Sequence, residues 1–290
     1  MKVLVTGANG QLGSAIVEEF SRGHDVVPLT IEDLDLTRHE LVMASVGRVK
    51  PGAIINCAAY TDVDAAEDDP VAALEVNAFA VRSLAEAAAG APAALVHYST
   101  DFVFDGTADR PYTEEDQAEP RSYYAISKLV GEWFAHDAGR HYVLRVESLF
   151  GGVSAAAPAR RSGVDRIVDA ILEGREARVF LDRTVTPSYV VDVAAATRYL
   201  LESGAPPGLY HCVNGGACTW HELGLEIVRQ LGVEARLRAV PVADAPMRAN
   251  RPKYCALSNR KLAAAGFEMP SWQDALRRYL VARIGGAARP

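Results

Sequence analysis

The hydrophobic positions in the first half of the chain form short apolar runs that alternate with amphipathic segments. Short apolar runs between turn signals predict buried strands, and apolar residues at helical spacing predict helices. The predicted strands cover 2–6, 25–29, 53–57, 93–100 and 142–146, and the predicted helices cover 12–21, 39–49, 69–89 and 122–138. Because strands alternate with helices, we expect an α/β fold whose doubly wound parallel sheet is covered on both faces.

The second half of the chain is less regular. It predicts helices near 164–174, 190–203, 220–231 and 272–283, with short strands near 179 and 209–213. The alanine-rich segment 151–163 carries Arg160 and Arg161 and is typical of a mobile loop, here a lid. We therefore expect one domain over 1–150 and mainly a smaller α/β substrate-binding region over 151–290, with some segments returning to the first sheet.

Composition and charge narrow the classes of partner. The 290 residues carry a formal net charge of −7 and are 49% hydrophobic, which is ordinary for a globular protein and leaves no overall basic footprint for nucleic acid. No apolar run reaches the ~20 residues of a membrane span, and the strand pattern at the first residues predicts no signal peptide. We expect a cytoplasmic protein that binds neither nucleic acid nor a membrane.

The cysteines favour reduced thiols over disulfides or a metal site. No C-x-x-C pair is present, and buried free thiols pack as small hydrophobes. Two of the cysteines lie near His211 and His221, but the spacing matches no common zinc pattern, so we expect no bound metal. The chain has four cysteines: Cys57, Cys212, Cys218 and Cys255.

Three glycines follow the first predicted strand and open the first predicted helix. Gly7, Gly10 and Gly13 have G-x-x-G-x-x-G spacing. Glycine allows a tight turn and a close approach of backbone to a pyrophosphate, and the next helix offers free N–H groups to that anion. This context predicts a nicotinamide dinucleotide bound on a Rossmann-type fold.

The end of the second predicted strand does not separate NADPH from NADH. An acid that would bind the ribose 2′-hydroxyl is expected there, about 20 residues after the glycine loop. That position falls near Thr30, which is not acidic, and Glu32 and Asp33 lie just after it. Asn9 is not a basic residue of the kind that would hold a 2′-phosphate. The loop therefore predicts the cofactor class and leaves the choice within it open.

A tyrosine and a lysine four residues apart predict a proton donor. Tyr124 and Lys128 share one face of the predicted helix 122–138. An ammonium beside a phenol is expected to lower the phenol pKa, which suits proton transfer to a carbonyl undergoing reduction. Thr100 ends the fourth strand, where ligands bind in open α/β sheets, and could hydrogen-bond both the carbonyl and the phenol. Ser99 is the alternative, since adjacent strand residues point to opposite faces.

Together these motifs resemble the extended short-chain dehydrogenase/reductase family and, within it, the dTDP-4-dehydrorhamnose reductases. The resemblance covers about residues 1–283, and its most specific segments are 56–64 and 98–106. Further matching segments are 33–37, 124–132, 186–189, 251–252 and the helix 272–280.

The resemblance implies a reaction and a set of site residues. The reaction is reduction of the 4-keto group of a dTDP-linked 6-deoxyhexose, such as dTDP-4-dehydro-L-rhamnose to dTDP-L-rhamnose, with NADP(H) expected before NAD(H). The implied catalytic residues are Thr100, Tyr124 and Lys128. With the glycines and the catalytic Tyr124 and Lys128, the cofactor would be lined by Gln11, Leu12, Asp35, Leu36, Ala59, Tyr60 and Thr61. The substrate would touch Thr100, Asp101, Ser148 and Arg251.

The chain departs from the family pattern in two places. Relatives usually carry Arg-Thr-Ser-Trp after the fifth strand, where this chain has residues 145–148 as Arg-Val-Glu-Ser. Ser148 thus replaces the aromatic residue that would contact the sugar, which leaves the identity of the sugar open. Ala15 stands where some members have an acid used in a metal-linked dimer, which again predicts no metal.

A basic segment in the C-terminal third of the chain predicts contact with the diphosphate of a nucleotide sugar. Arg248, Arg251 and Lys253 lie within seven residues, and we expect Arg251 above all to bind phosphate. The alternative is a solvated basic loop.

Other functions found on this fold differ from the reductase in the residues that each would need. A dehydratase needs a second carboxylate beside the strand-end hydroxyl, and the sequence after Asp101 continues with Phe102, so that carboxylate is predicted to be missing. An epimerase also stays open. The alternative from another class is a non-catalytic NADP-binding regulatory subunit, resembling that of methionine adenosyltransferase. Either a monomer or a homodimer is compatible with the sequence.

Overall fold

The computed structural model describes residues 1–152 and 161–287. Most of the predicted lid 151–163, including Arg160, lies outside the described residues. Within the described residues, the strands are β1 (Lys2–Thr6), β2 (Asp25–Leu29), β3 (Ala53–Asn56), β4 (Ala94–Thr100), β5 (Arg140–Val146), β6 (Leu149–Phe150), β7 (Ala177–Phe180), β8 (Thr184–Val185), β9 (Ser188–Tyr189), β10 (Gly208–His211), β11 (Cys218–Thr219) and β12 (Leu237–Val240).

Helices connect most of these strands, close to the predicted ranges. No helix in the described part of the chain is long and apolar enough to cross a membrane. Within residues 1–152 and 161–287, the α-helices are α1 (Gln11–Phe20), α2 (His39–Val49), α3 (Pro70–Leu74), α4 (Ala80–Ala89), α5 (Tyr123–Ala135), α6 (Gly163–Leu172), α7 (Val190–Glu202), α8 (Trp220–Leu231), α9 (Arg260–Ala264) and α10 (Trp272–Ala287).

The helix predicted over 69–89 is divided by a π-helical segment, Glu75–Phe79, between α3 and α4. Asp69 caps the start, where its side chain accepts a hydrogen bond from the backbone N–H of Ala72 at 3.0 Å. The wider π turn is rare and is found mostly at functional sites. Here it contains Asn77, whose side chain is fully buried.

The main sheet is parallel throughout, with strand order β2-β1-β3-β4-β5-β10. From β1 the chain runs first to one edge, through β2, and then returns to build outward on the other side of β1. Ligands bind at the carboxyl ends of strands beside such a reversal. The predicted α/β fold with a doubly wound parallel sheet is confirmed.

Alternate residues of β1 pack against opposite helical layers. Val3 and Val5 belong to a buried cluster that contains Ile16 of α1, whereas Leu4 belongs to a second cluster that contains Leu84 of α4. Each fully buried aliphatic side chain of this kind stabilises the fold by about 1.5–3 kcal/mol. Burial on both faces explains why β1 is a continuous apolar run in the sequence.

Segments from the second half of the chain contribute both to the main sheet and to a separate C-terminal hydrophobic cluster. β10 pairs with β5 in the main sheet, and α7 packs against α1. A separate cluster contains Phe150, Ile167 of α6, Ile227 of α8 and Leu276 of α10, and β7 and β12 pair beside it. The C-terminal helices α6 and α10 therefore pack against β6 and β9, and β6 follows the carboxyl end of β5.

A buried ion pair joins β5 to α5. Arg145 donates to the carboxylate of Glu132 through Nε at 2.8 Å and through Nη2 at 2.7 Å, and both side chains are about 5% exposed. The Arg145 guanidinium also lies 4.9 Å from the centre of the Phe104 ring. This bidentate pair holds the helix of Tyr124 and Lys128 at a fixed position against the sheet.

Replacing Arg145 by Met should lower the free energy of unfolding by about 3–5 kcal/mol, because it leaves Glu132 charged, buried and unpaired. Urea denaturation followed by circular dichroism measures the loss. Arg110→Met is the matched control, since Arg110 makes a similar two-bond pair with Asp116 at the surface and its loss should change stability little. Equal losses in the two variants would show that the buried pair has no special role.

Candidate active site

The glycine loop between β1 and α1 is packed against the backbone that follows β3. Gly7 has a φ of +63°, and a Cβ built on it would lie 2.7 Å from the backbone nitrogen of Ala58. A Cβ on Gly13 would lie 2.1 Å from the carbonyl oxygen of Gly7. The glycines are therefore required by the close approach of the loop to its surroundings.

The start of α1 is suited to bind a pyrophosphate. The helix begins at Gln11, and its N-cap residue, Gly10, has no side chain with which to cap the first N–H groups. Free N–H groups and the positive end of the helix dipole favour an anion at this point. Together with the crowded glycine turn, this geometry fits the dinucleotide that the sequence predicts.

The end of β2 carries acidic side chains that fold back onto Thr30. The Thr30 N–H donates to Asp33 Oδ2 at 2.8 Å, and its hydroxyl lies 2.8 Å from a Glu32 carboxylate oxygen and 2.9 Å from Asp33 Oδ2. The hydrogen bonds from Thr30 hold the pKa of Asp33 below its usual value. An ionised acid at this strand end suits a ribose 2′-hydroxyl better than a 2′-phosphate.

Two further segments expected to line the cofactor are held by side-chain hydrogen bonds. In the first, Asp35 Oδ1 accepts from the backbone N–H and the hydroxyl of Thr37 at 3.0 and 2.7 Å. In the second, residues 59–61, Asn77 Oδ1 accepts from the Tyr60 N–H at 2.9 Å, and its Nδ2 donates to the Tyr60 carbonyl and to Ser127 Oγ at 3.0 Å each. The π-helical segment thus fixes the Tyr60 loop to α5.

The three predicted catalytic residues lie together at the carboxyl edge of the sheet. Thr100 ends β4, and α5, which carries Tyr124 and Lys128, packs against that strand. The hydroxyl that interacts with the Tyr124 phenol belongs to Thr100. The hydroxyl of Ser99, the alternative, is buried without a hydrogen-bond partner among the described residues. The structure therefore favours Thr100.

The electrostatics of Tyr124 differ from the expectation. Burial raises the pKa of the phenol above its ordinary value, Asp101 raises it further, and Thr100 lowers it only in part. Lys128 donates instead to the carbonyl oxygen of Tyr98 at 2.5 Å, and burial lowers the pKa of its ammonium to about 8. The predicted lowering of the phenol pKa by Lys128 is wrong for this geometry, although a neutral phenol still has the proton that a general acid gives.

The most prominent group missed by the sequence analysis is the carboxyl of Glu147. Asp101 directly follows β4 and Glu147 directly follows β5, and the strand register places Thr100 opposite Val146 just before them. Oxygen atoms of the two carboxyls and the sulfur of Cys255 lie within 4.8 Å of one another. The prediction that a second carboxylate is missing beside the strand-end hydroxyl is wrong, because Glu147 supplies one from the neighbouring strand. Asp101 and Glu147 are called the carboxyl pair below.

One guanidinium faces the carboxyl pair. Arg183 is 8% exposed, its Nη2 lies 3.7 Å from Cys255 Sγ, and its Cζ lies 5.1 Å from the centre of the Phe102 ring. Its positive charge lowers the pKa of both Asp101 and Glu147, but desolvation is the larger effect and keeps both above their usual values. The site therefore combines a phenol, an ammonium, a hydroxyl and a partly neutralised acidic pair.

Comparison with known proteins gives one consistent family. Residues 1–283 match the family model described as the RmlD substrate binding domain. The dTDP-4-dehydrorhamnose reductase of Streptomyces griseus is 35% identical over 99% of this chain and 95% of its own length. The spore coat polysaccharide biosynthesis protein SpsK of Bacillus subtilis is 32% identical over 97% of this chain and 98% of its own length.

A solved structure agrees with these relatives. The dTDP-4-dehydrorhamnose reductase of Bacillus anthracis, in complex with NADP, is 32% identical and superposes with a TM-score of 0.91 over 97% of this chain and 99% of its own. The chain belongs to the RmlD substrate binding domain family. The resemblance inferred from the sequence motifs is confirmed.

Within this RmlD family member, Ser148 has an unusual backbone. Its φ is +43°, in the left-handed region that non-glycine residues rarely adopt. The turn lies between β5 and β6, immediately after Glu147, and the Ser148 carbonyl accepts a hydrogen bond from the Ser188 N–H at 3.3 Å. Such strain costs about 1–3 kcal/mol and is concentrated at functional sites.

Each of the three cations in the basic segment, Arg248, Arg251 and Lys253, forms an ion pair with an acidic side chain. Arg251 forms two hydrogen bonds with Asp64, at 2.8 and 3.0 Å, and lowers the pKa of that carboxyl to about 2. The other two pairs are Arg248 with Asp68 and Lys253 with Asp182. The three cations expected to contact a diphosphate are therefore paired already, and a phosphate would have to share or replace these acids.

Gly13→Ala should weaken NADPH binding about tenfold or more, because the new methyl group would collide with the Gly7 carbonyl and displace the loop. Fluorescence titration of the protein with NADPH measures the affinity. Gly47→Ala, in an exposed position of α2 with no atom within 4 Å of the added Cβ, is the control. It should keep the affinity and gain roughly 0.5–1 kcal/mol of stability. Unchanged affinity in Gly13→Ala would remove the glycine loop from the cofactor site.

Proposed function

We propose that this protein reduces the 4-keto group of a dTDP-linked 6-deoxyhexose with NADPH, as in the conversion of dTDP-4-dehydro-L-rhamnose to dTDP-L-rhamnose. The observation that carries the proposal is the position of Thr100, Tyr124 and Lys128 at the carboxyl edge of the sheet, in a chain whose full-length relatives are named as reductases. A hydroxyl, a phenol and an ammonium at this edge are suited to donate a proton to a carbonyl oxygen.

Each catalytic residue has a distinct role in this proposal. Tyr124 gives its phenolic proton to the developing alkoxide of the sugar. Lys128, whose ammonium is buried against the Tyr98 carbonyl, would hold the nicotinamide ribose. Thr100 lies beside the phenol and positions the sugar carbonyl against it. When bound, the nicotinamide supplies the hydride.

The cofactor is expected to lie between the glycine loop and α5. Both NADPH and NADH are expected to act as the reducing cofactor, and NADPH is expected to be preferred. A relative solved with NADP supports NADPH, while the acids at the end of β2 oppose a 2′-phosphate and support NADH. The residues expected to line the cofactor are Gly7, Gly10, Gln11, Leu12, Gly13, Asp35, Leu36, Ala59, Tyr60, Thr61, Tyr124 and Lys128.

The substrate is expected to lie between the carboxyl edge and the basic segment. Asp101 and Ser148 would face the sugar, and Arg251 would bind the diphosphate by sharing Asp64 with it. A cavity of about 420 Å³ lies beside Arg251 and is lined also by Gly106, Thr107 and Pro252. Because Ser148 is smaller than the aromatic residue usual in the family, it leaves room for a substituent on the ring.

A regulatory subunit without catalysis is the less favoured function. The chain keeps the phenol and the ammonium, and its matched relatives include a protein named as a 4-ketoreductase as well as the dTDP-4-dehydrorhamnose reductases. We further propose a cytoplasmic monomer or homodimer. Exposed apolar side chains on and beside α5, among them Ile126, Trp133 and Phe79, favour the homodimer.

The loss of NADPH absorbance tests the reaction directly. The protein is assayed with dTDP-, UDP- and GDP-linked 4-keto-6-deoxyhexoses and with NADPH and NADH in turn, and the product stereochemistry is determined by NMR. Turnover of the dTDP-linked sugar supports the proposal. Absence of turnover with every sugar, together with tight binding to another protein, would favour the regulatory subunit.

Tyr124→Phe should lower kcat by about 10²–10⁴-fold, because it removes the proton donor, while NADPH affinity stays close to that of the unaltered protein. Tyr123→Phe is the matched control, because this neighbouring tyrosine is 48% exposed. Steady-state kinetics and NADPH titration are measured for both variants. Near-normal turnover of Tyr124→Phe would exclude Tyr124 as the acid.

A further inference from the structure

The carboxyl pair leaves two buried oxygen atoms unsatisfied. Asp101 Oδ1 accepts from the Thr100 hydroxyl at 3.0 Å, and Glu147 Oε2 accepts from the Thr186 N–H at 2.7 Å. The second oxygen of each group, Asp101 Oδ2 and Glu147 Oε1, has no hydrogen-bond partner among the described residues. Since buried polar atoms are nearly always hydrogen-bonded, a proton on one carboxyl is the simplest way to satisfy both, directly or through one water.

The charges around the carboxyl pair also indicate that one of the two carboxyls is protonated. Asp101 and Glu147 are 3% and 2% exposed, so neither carboxylate is well hydrated. Arg183 is the one permanent cation among the described groups that act on both carboxyls. The other titratable groups that face the pair are neutral thiols and phenols: Cys255, Cys218, Tyr254 and Tyr124. Two carboxylates against one guanidinium would leave a net buried negative charge, which is costly.

The proton belongs mainly on Glu147. Burial raises the pKa of both carboxyls, and the charge of Asp101 raises that of Glu147 further. Asp101 is favoured as the ionised member because the charge of Arg183 and the hydrogen bond from Thr100 lower its pKa, whereas the hydrogen bonds from Thr186 still leave the pKa of Glu147 well above its usual value. An ionised Asp101 has no proton to give, so Thr100 must be the donor in their hydrogen bond.

We infer that Glu147 is a positioning residue of the proposed reductase: its protonated carboxyl keeps Asp101 as the single negative charge beside Thr100 and Tyr124. Asp101 accepts the hydrogen bond from the Thr100 hydroxyl, so Thr100 does not supply the proton to the sugar oxygen. Tyr124 is then the proton donor. This inference rests on the proposed function for its catalytic consequence only.

The pair sets an upper pH limit for turnover. When Glu147 loses its proton, a second negative charge appears beside Asp101, the carboxylate that already opposes a phenolate at Tyr124. Like charges at short range oppose that phenolate. Turnover should therefore fall as the pH rises through the pKa of Glu147, and the position of this fall is a property of the pair.

Glu147→Gln tests the inference, because it keeps the shape of the protonated side chain and cannot ionise. The pH at which kcat falls on the alkaline side should move upward by about one unit or more relative to the unaltered protein, whatever the height of the plateau. Glu222→Gln, at a helix cap on the surface, is the control and should not move it. An alkaline fall at the same pH in Glu147→Gln would overturn the inference.

A second measurement needs no substrate and separates failure of this inference from failure of the proposed function. Infrared difference spectra of the protein between neutral and alkaline pH should show the C=O stretch of a protonated carboxylic acid, and this band should be absent in Glu147→Gln. Thermal unfolding monitored by circular dichroism shows whether the variant is folded. A folded variant that keeps the band, or an unaltered protein without one, would contradict a protonated Glu147 even if the reductase activity is established.

Discussion

The register between β4 and β5 is the constraint on which the site depends. Because Thr100 lies opposite Val146, the residues after the two strands, Asp101 and Glu147, become neighbours at the carboxyl edge. The buried pair of Arg145 and Glu132 then fixes α5 to the same strand, so the phenol and the ammonium arrive beside the strand-end hydroxyl. A shift of one residue would turn these side chains to the other face of the sheet.

The sequence was sufficient to predict the sheet, the glycine loop and the grouping of Thr100, Tyr124 and Lys128 at one edge of the sheet. These features depend on short-range patterns: apolar runs buried on both faces, glycines between a strand and a helix, and a four-residue spacing on one helix face. The helix over 69–89 was less predictable. Its π-helical segment exists because Asn77 turns inward to hold Tyr60, a contact between residues far apart in the sequence.

Contacts between two segments that are far apart in the sequence could not be predicted from the pattern of either segment alone. Glu147 follows one strand and Asp101 another, and an acid directly after each of two neighbouring strands was the available signal. The pairing of Arg251 with Asp64 likewise joins segments 187 positions apart. The raised pKa of Tyr124 follows from burial, which spacing on a helix does not reveal. The site is therefore more acidic and more tightly paired than the motifs suggest.

The central claim is that a hydride reaches C4 of the sugar beside Tyr124. The most direct measurement uses NADPH deuterated at both positions of the nicotinamide C4, a dTDP-linked 4-keto-6-deoxyhexose, and NMR of the product. The account predicts one deuterium at C4 of the sugar, in a single configuration, and none at the other carbons. A product with hydrogen at C4, or with deuterium elsewhere on the ring, would contradict it.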